Sequence, residues 1–181
     1  INAPENSEGA ILAAKKKHFT AIELDIRQTK DGEFILFHDE TGERLLQLGF
    51  AIEHSTWDAI KDLLLFHQNE QTAYTILTLE EVLKSLGKDF ILYLDIKQVQ
   101  RFQFPKMARQ IHALIEKYYL EERVIIASSN VFFIGYMEYH FPGINTALEG
   151  FKAGKEWLHE ITPRKFRPDF TACFQNQVNQ R

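Results

Sequence analysis

Runs with the two-residue period of a strand alternate along this chain with runs of helical period. That alternation constrains its folding more than any other feature, because it marks a parallel α/β fold. Asn6 or Ser7 caps a first helix that reaches about residue 17. Residues 21–29 (AIELDIRQT) read as a strand, Lys30-Asp31-Gly32 as a turn, and residues 33–38 (EFILFH) as a second strand. A loop follows through Thr41-Gly42. Ser55-x-x-Asp58 reads as a capping box opening a helix over about 56–66, and Thr78-x-x-Glu81 as another. The helix after the second box carries Leu79, Val82, Leu83 and Leu86 on one face and stops at Gly87. Residues 89–97 (DFILYLDIK) form a third strand. Pro105 suits the first turn of a helix to about 119. Residues 123–128 form a fourth strand, 131–140 a helix ended by Pro142-Gly143, and 144–149 and 169–173 the last two strands. No repeat, low-complexity tract or linker interrupts the pattern. The expectation is one domain over residues 1–181, long enough for a sizeable core.

Charge narrows the partners. The net charge is −4, with 21 basic and 25 acidic residues, and no face forms a basic track, which argues against nucleic acid. Lys15, Lys16 and Lys17 are the one dense basic run. They fall at a helix end, where positive charge is favourable, so they read as a solvated helix end or as a phosphate or membrane contact. No apolar run approaches the roughly 20 residues of a membrane span. The single cysteine, Cys173, forms no internal disulfide and reads as structural, with no histidine close in sequence. The compartment stays open between the cytoplasm and an extracytoplasmic space.

The chemistry lies on two strands. In residues 21–29, Ile22, Leu24 and Ile26 share one face and Glu23, Asp25 and Arg27 the other. In residues 89–97, Leu92, Leu94 and Ile96 share one face and Tyr93, Asp95 and Lys97 the other. Strands of a parallel sheet are normally apolar on both faces, so carboxylates and cations on one face of each need a reason. Glu23 and Asp25 are separated by about 6.6 Å of strand rise. Their charges would repel by roughly 2.5 kcal/mol at an effective dielectric near 20. Two forms of compensation are open: a hard divalent cation with oxygen ligands, or internal ion pairs with Arg27 and Lys97. His38 ends the second strand, placed either for acid–base work near neutral pH or as a loop histidine without a role. His18, His54, His67, His112, His140 and His159 show no ligand spacing.

Pro4-Glu5-Asn6, Glu23-Leu24-Asp25, Thr29-Lys30-Asp31-Gly32 and His38-Asp39 occur in order. They resemble the opening of the glycerophosphodiester phosphodiesterase family, whose pattern is His-Arg-Gly, Pro-Glu-Asn, Glu-x-Asp, Thr-x-Asp-Gly and His-Asp. Residues 76–83 (ILTLEEVL), LDIK at 94–97 and Ser128-Ser129-Asn130 resemble later family segments, the last two its Glu-x-Lys strand and Ser-Ser-Phe turn. The resemblance implies a TIM-type (β/α)8 barrel and a divalent cation, Mg²⁺ or Ca²⁺, on Glu23, Asp25 and Asp95. It implies His38 as a catalytic histidine and Lys97 as a phosphate contact on a small phosphodiester substrate. Asp95 stands where the family has Glu. The family's His-Arg-Gly and its last strand are absent from residues 1–181. The expectation is therefore an incomplete barrel with six of eight strands, truncated at both ends and inactive or nearly so by itself.

Three functional readings follow. The first is metal-dependent hydrolysis of glycerophosphodiesters to glycerol 3-phosphate and an alcohol. The second is a phosphatidylinositol- or sphingomyelin-directed phospholipase of the same superfamily, which an apolar rim within residues 44–75 would favour. Leu45, Leu46, Leu48, Phe50, Trp57 and the run 63–66 supply such a rim unless helix packing takes them up. The third is a non-catalytic module that binds a ligand or partner.

Overall fold

Ser7 opens the first helix as expected: its hydroxyl accepts from Ala10 N at 3.3 Å, and α1 spans Glu8–Lys16. The computed structural model describes residues 2–86, 88–97, 99, 103–150 and 162–171. It divides into two units, Ile1–Leu92 and Tyr93–Arg181.

In the first unit, α1 leads into β1 (Ala21–Gln28), which pairs antiparallel with β2 (Phe34–Leu36) in the register Ile26↔Leu36. Lys15, in the basic run at the end of α1, pairs with Asp89 at 2.7 Å, both side chains being solvent-accessible. After α2 (Glu43–Leu46) and a 3₁₀ turn at Ile52–His54 comes α3 (Trp57–Ile60), a single turn.

Here the structure corrects the sequence reading twice. The expected helix over 56–66 stops at Ile60, and Leu64–His67 is a strand, β3, paired antiparallel with β4 (Glu70–Thr75). Gln68 and Asn69 both take positive φ (52° and 66°), as a two-residue hairpin turn requires. A run of leucines fits a helix or a buried strand equally well, and the turn decided between them. Nor is Ser55-x-x-Asp58 a capping box. Ser55 Oγ donates back to Ala51 O, and Trp57 N donates to the carboxylate of Asp31, 26 residues earlier.

The second box is real. Thr78 N donates to Glu81 Oε2 at 2.8 Å and Glu81 N to Thr78 Oγ1 at 3.1 Å, opening α4 (Leu79–Leu86). Such a cap contributes about 1 kcal/mol. Gly87, the expected stop, lies outside the described residues.

Ile35, Phe37, Leu45, Leu46, Ile52, Ile60, Leu65 and Ile76 pack into one buried cluster, with Phe50, Trp57, Leu63 and Tyr74 against it. Most of the apolar residues between 44 and 75 are thus taken up by packing under the hairpin rather than presented as a rim.

β5 (Ile91–Ile96) starts in the first unit, where Ile91 N donates to Thr20 O at 2.9 Å, and runs on into the second. There α5 (Phe104–Lys117), β6 (Val124–Ser128), α6 (Val131–His140), β7 (Asn145–Leu148) and β8 (Phe170–Thr171) follow. β6 and β7 pair in parallel from Ile125↔Asn145 to Ser128↔Leu148, and β7 and β8 in parallel. The strand–helix alternation read from the sequence therefore yields a parallel α/β arrangement in the second unit, whereas β2 turns back antiparallel on β1 in the first. All six expected strands are present, and the β3–β4 hairpin is additional. Cys173 lies outside the described residues. No helix among them is long and apolar enough to cross a membrane.

One carboxyl in this unit predicts a pH effect. Burial raises the pKa of Glu138, the Thr146 hydroxyl that donates to it opposes that shift, and Asp169 adds to it. A carboxyl raised on folding stabilises the protein below its unfolded value and loses that contribution as pH rises through its folded value. Glu138→Gln is therefore expected to raise the melting midpoint at pH 7, with the gap closing toward pH 4. Thermal melts at the two pH values check this; an equal gap at both would refute it.

Candidate active site

The first unit gathers three of the expected residues. β1 exposes Glu23 and buries Asp25, which is 6% accessible. Phe37 N donates to Asp25 O at 2.9 Å, so the chain leaving β2 runs beside β1 and brings His38 to the end of the same surface. Arg27 Nε donates to His38 O at 2.9 Å and pins that residue's backbone. Glu23, Asp25 and His38 line one cavity of about 700 Å³, together with Asn6, Asp39 and Arg44. Its other wall is the small and apolar face of α1.

Asn6, one of the two residues expected to cap the first helix, leaves that task to Ser7 and turns to Asp25 instead. Its Nδ2 donates to Asp25 Oδ2 at 2.7 Å, and its Oδ1 accepts from Asp25 N at 3.0 Å. One bond holds the Asp25 carboxylate and the other its backbone, from 19 residues away. Together they satisfy an amide and a carboxylate that are both buried. Asn6 takes φ 55° to do this, a conformation that asparagine tolerates better than most residues. The available signal was its place in the Pro4-Glu5-Asn6 motif.

His38 does not stand alone. Its Nδ1 lies 2.7 Å from Asp39 Oδ1. Arg44 Nε donates to Asp39 Oδ2 at 2.7 Å, its Nη2 to Asp39 Oδ1 at 3.0 Å, and the same Nη2 to Glu5 Oε1. The Arg44 bonds, ahead of the His38 contact, hold the Asp39 carboxyl below its ordinary value. The guanidinium is raised correspondingly, first by Asp39 and then by Glu5.

The second unit places Asp95 and Lys97 together. Asp95 is 4% accessible, and the Lys97 ammonium pairs with its Oδ2. Glu149 joins them. Tyr93 Oη donates to Glu149 Oε1 at 3.0 Å, and Glu149 N donates to Ser128 O at 3.0 Å. Burial first, and then the Asp95 charge, raise the Glu149 carboxyl. The sequence reading passed over Glu149 as the end of a strand. The detectable signal was an acid directly after β7, as His38 follows β2.

The ion-pair alternative for the carboxylates holds in part. Lys97 does pair with Asp95, whereas the guanidinium of Arg27 bonds to the His38 carbonyl. The burial of Arg27 lowers its pKa, opposed by Glu40, Asp39 and Glu53 and then by Asp25.

Residues 2–150 match the Glycerophosphoryl diester phosphodiesterase family. A glycerophosphodiester phosphodiesterase of Caldanaerobacter subterraneus subsp. tengcongensis is 34% identical over 132 residues, covering 71% of this chain and 54% of that protein. One of Bacillus altitudinis is 30% identical over 131 residues, covering 70% and 53%. The chain thus spans about half the length of these relatives. Among solved structures, an Oleispira antarctica phosphodiesterase in complex with the product sn-glycerol-3-phosphate has a TM-score of 0.76 at 17% identity, over 88% of this chain and 66% of that one. A glycerophosphodiester phosphodiesterase from Parabacteroides distasonis has a TM-score of 0.73 at 22% identity, over 88% and 64%. At these identities the structural likeness shows the fold, which is α/β of the TIM-type barrel class.

Proposed function

The chain belongs to the glycerophosphoryl diester phosphodiesterase family, and from that premise we propose that it carries the centre of a metal-dependent phosphoric diester hydrolase. The reaction is hydrolysis of a glycerophosphodiester to glycerol 3-phosphate and an alcohol. Glu23, Asp25 and Asp95 hold a divalent cation, Lys97 meets the phosphate, and His38 moves a proton.

The donor chemistry supports the cation. Each of the three acids offers a carboxylate oxygen, and an all-oxygen set suits Mg²⁺ or Ca²⁺ better than Zn²⁺. The observation that carries the reading is the two-point hold of Asn6 on Asp25, since ligating carboxylates are themselves held by hydrogen bonds. A bound divalent cation orients a phosphodiester and neutralises part of its charge. Lys97 keeps its ammonium beside Asp95 and adds positive charge where phosphate oxygens would lie. His38 keeps half of its side chain exposed to the cavity, as a group that must reach a substrate proton requires.

Chelation tests the reading. Hydrolysis of a simple glycerophosphodiester by residues 1–181 carried in a polypeptide that also supplies the family's first and last strands is expected to stop in EDTA and to return with excess Mg²⁺ or Ca²⁺. Hydrolysis indifferent to EDTA would overturn the cation assignment.

A further inference from the structure

We propose that Asp39, clamped by Arg44 and through it by Glu5, is a positioning residue. It holds the His38 imidazole with its proton on Nδ1 and leaves Nε2 as the atom that exchanges a proton with the substrate. The inference deepens the proposed function and rests on it for the identity of the substrate.

The geometry runs as a chain of contacts: Glu5, Arg44 and Asp39, alternating in charge, and then the His38 imidazole. An ionised carboxylate has only acceptor atoms. Asp39 is kept ionised by two hydrogen bonds from Arg44, at 2.7 and 3.0 Å. The ring nitrogen 2.7 Å from Asp39 Oδ1 must therefore be the donor, and in the neutral ring the lone pair then falls on Nε2. A carboxylate that orients a histidine fixes its tautomer, and the wrong tautomer disables the base. Arg27, bonded to the His38 carbonyl, holds the backbone while Asp39 holds the ring.

The clamp also assigns Arg44. This arginine lines the same cavity as Glu23 and Asp25, where a free guanidinium would serve as a phosphate ligand. Instead its guanidinium is committed to two carboxylates, Asp39 and Glu5. Its contribution is the planar, two-point grip on Asp39, which a lysine would not reproduce.

An asparagine at position 39 cannot keep the arrangement. Arg44 presents donors to both carboxylate oxygens, so the amide NH₂ faces a donor in either orientation.

The test is long-range ¹H–¹⁵N NMR of the His38 ring at a pH where it is neutral, with Asp39→Asn and Arg44→Gln as variants. The unaltered protein is expected to show a protonated Nδ1 and an unprotonated Nε2. Asp39→Asn should lose that single tautomer. It should also lower kcat by about 10²-fold, the lower range for a positioned proton-transfer group, at unchanged KM and unchanged Ca²⁺ affinity. Arg44→Gln, at an exposed position, should show a smaller fall in the same sense and carries the test if Asp39→Asn does not fold. A proton on Nε2 in the unaltered protein, or full kcat in both variants, would overturn the proposal. Absence of glycerophosphodiester hydrolysis when the unaltered residues 1–181 are carried in a polypeptide with the family's first and last strands would instead defeat the functional reading, and the ring spectrum would still decide the clamp.

Discussion

Asp25→Asn is expected to abolish divalent-cation binding and to lower kcat/KM for a glycerophosphodiester by about 10³-fold. That is the fall expected when a cation supplying several kcal/mol of charge stabilisation is lost. The fold should tolerate the change. An asparagine oxygen can still accept from Asn6 Nδ2, and the bond from Asp25 N to Asn6 Oδ1 belongs to the backbone. What disappears is the negative charge. Its loss also relieves the repulsion with Glu23, which is exposed, so the relief is well below the roughly 2.5 kcal/mol of an unscreened pair. The two effects carry opposite signs. Without added cation the variant should melt at or slightly above the parent. With saturating Mg²⁺ or Ca²⁺ the parent should rise by ligand linkage and the variant should not. Calorimetric titration and paired melts measure both. Wild-type affinity in Asp25→Asn would remove Asp25 from the ligand set. Asn6→Ala separates holding from ligation: the charge stays and its orientation goes, with an expected loss of about 10- to 100-fold in affinity.

The second large effect is expected at His38. His38→Ala should lower kcat by about 10²- to 10⁴-fold, the range for a positioned general acid or base. The side chain is 51% exposed, so removing it opens no core cavity and stability should stay within the usual surface range of about ±0.5 kcal/mol. Cation affinity should not change either, because no proposed ligand is altered. The leaving group resolves the role. If His38 protonates the departing alcohol, a substrate that releases 4-nitrophenol should be hydrolysed by the variant with a far smaller deficit. If His38 removes a proton from the attacking group, the deficit should persist with both substrates. A variant with parental kcat on the ordinary substrate would return His38 to the status of a loop histidine.

Much of this candidate site is legible in the sequence alone. The period of two puts Glu23 and Asp25 on one face of β1, and Asp95 of β5 on the same side as Lys97 just past its end, and it depends only on backbone geometry. The Thr78–Glu81 box was equally legible, since both of its bonds close within four residues. The Ser55 box failed for a reason the motif cannot contain. Asp31, far back in the chain, supplied the acceptor for Trp57 N, and the serine turned to Ala51 instead. The leucine run at 63–66 failed because its apolar residues suit either element, and the Gln68–Asn69 turn with β4 settled it as a strand.

What the sequence by itself determined is therefore the alternation of elements, the faces of the strands and the residue types present for chemistry. These are local quantities, set within a few residues by the geometry of the backbone. Tertiary structure decided which groups answer one another. Asn6 reaches Asp25 across 19 residues, and Arg44 reaches Glu5 across 39. No periodicity encodes such pairs, because they exist only once the chain has folded back on itself. Burial then makes an unsatisfied amide or carboxylate costly enough that the partners must meet.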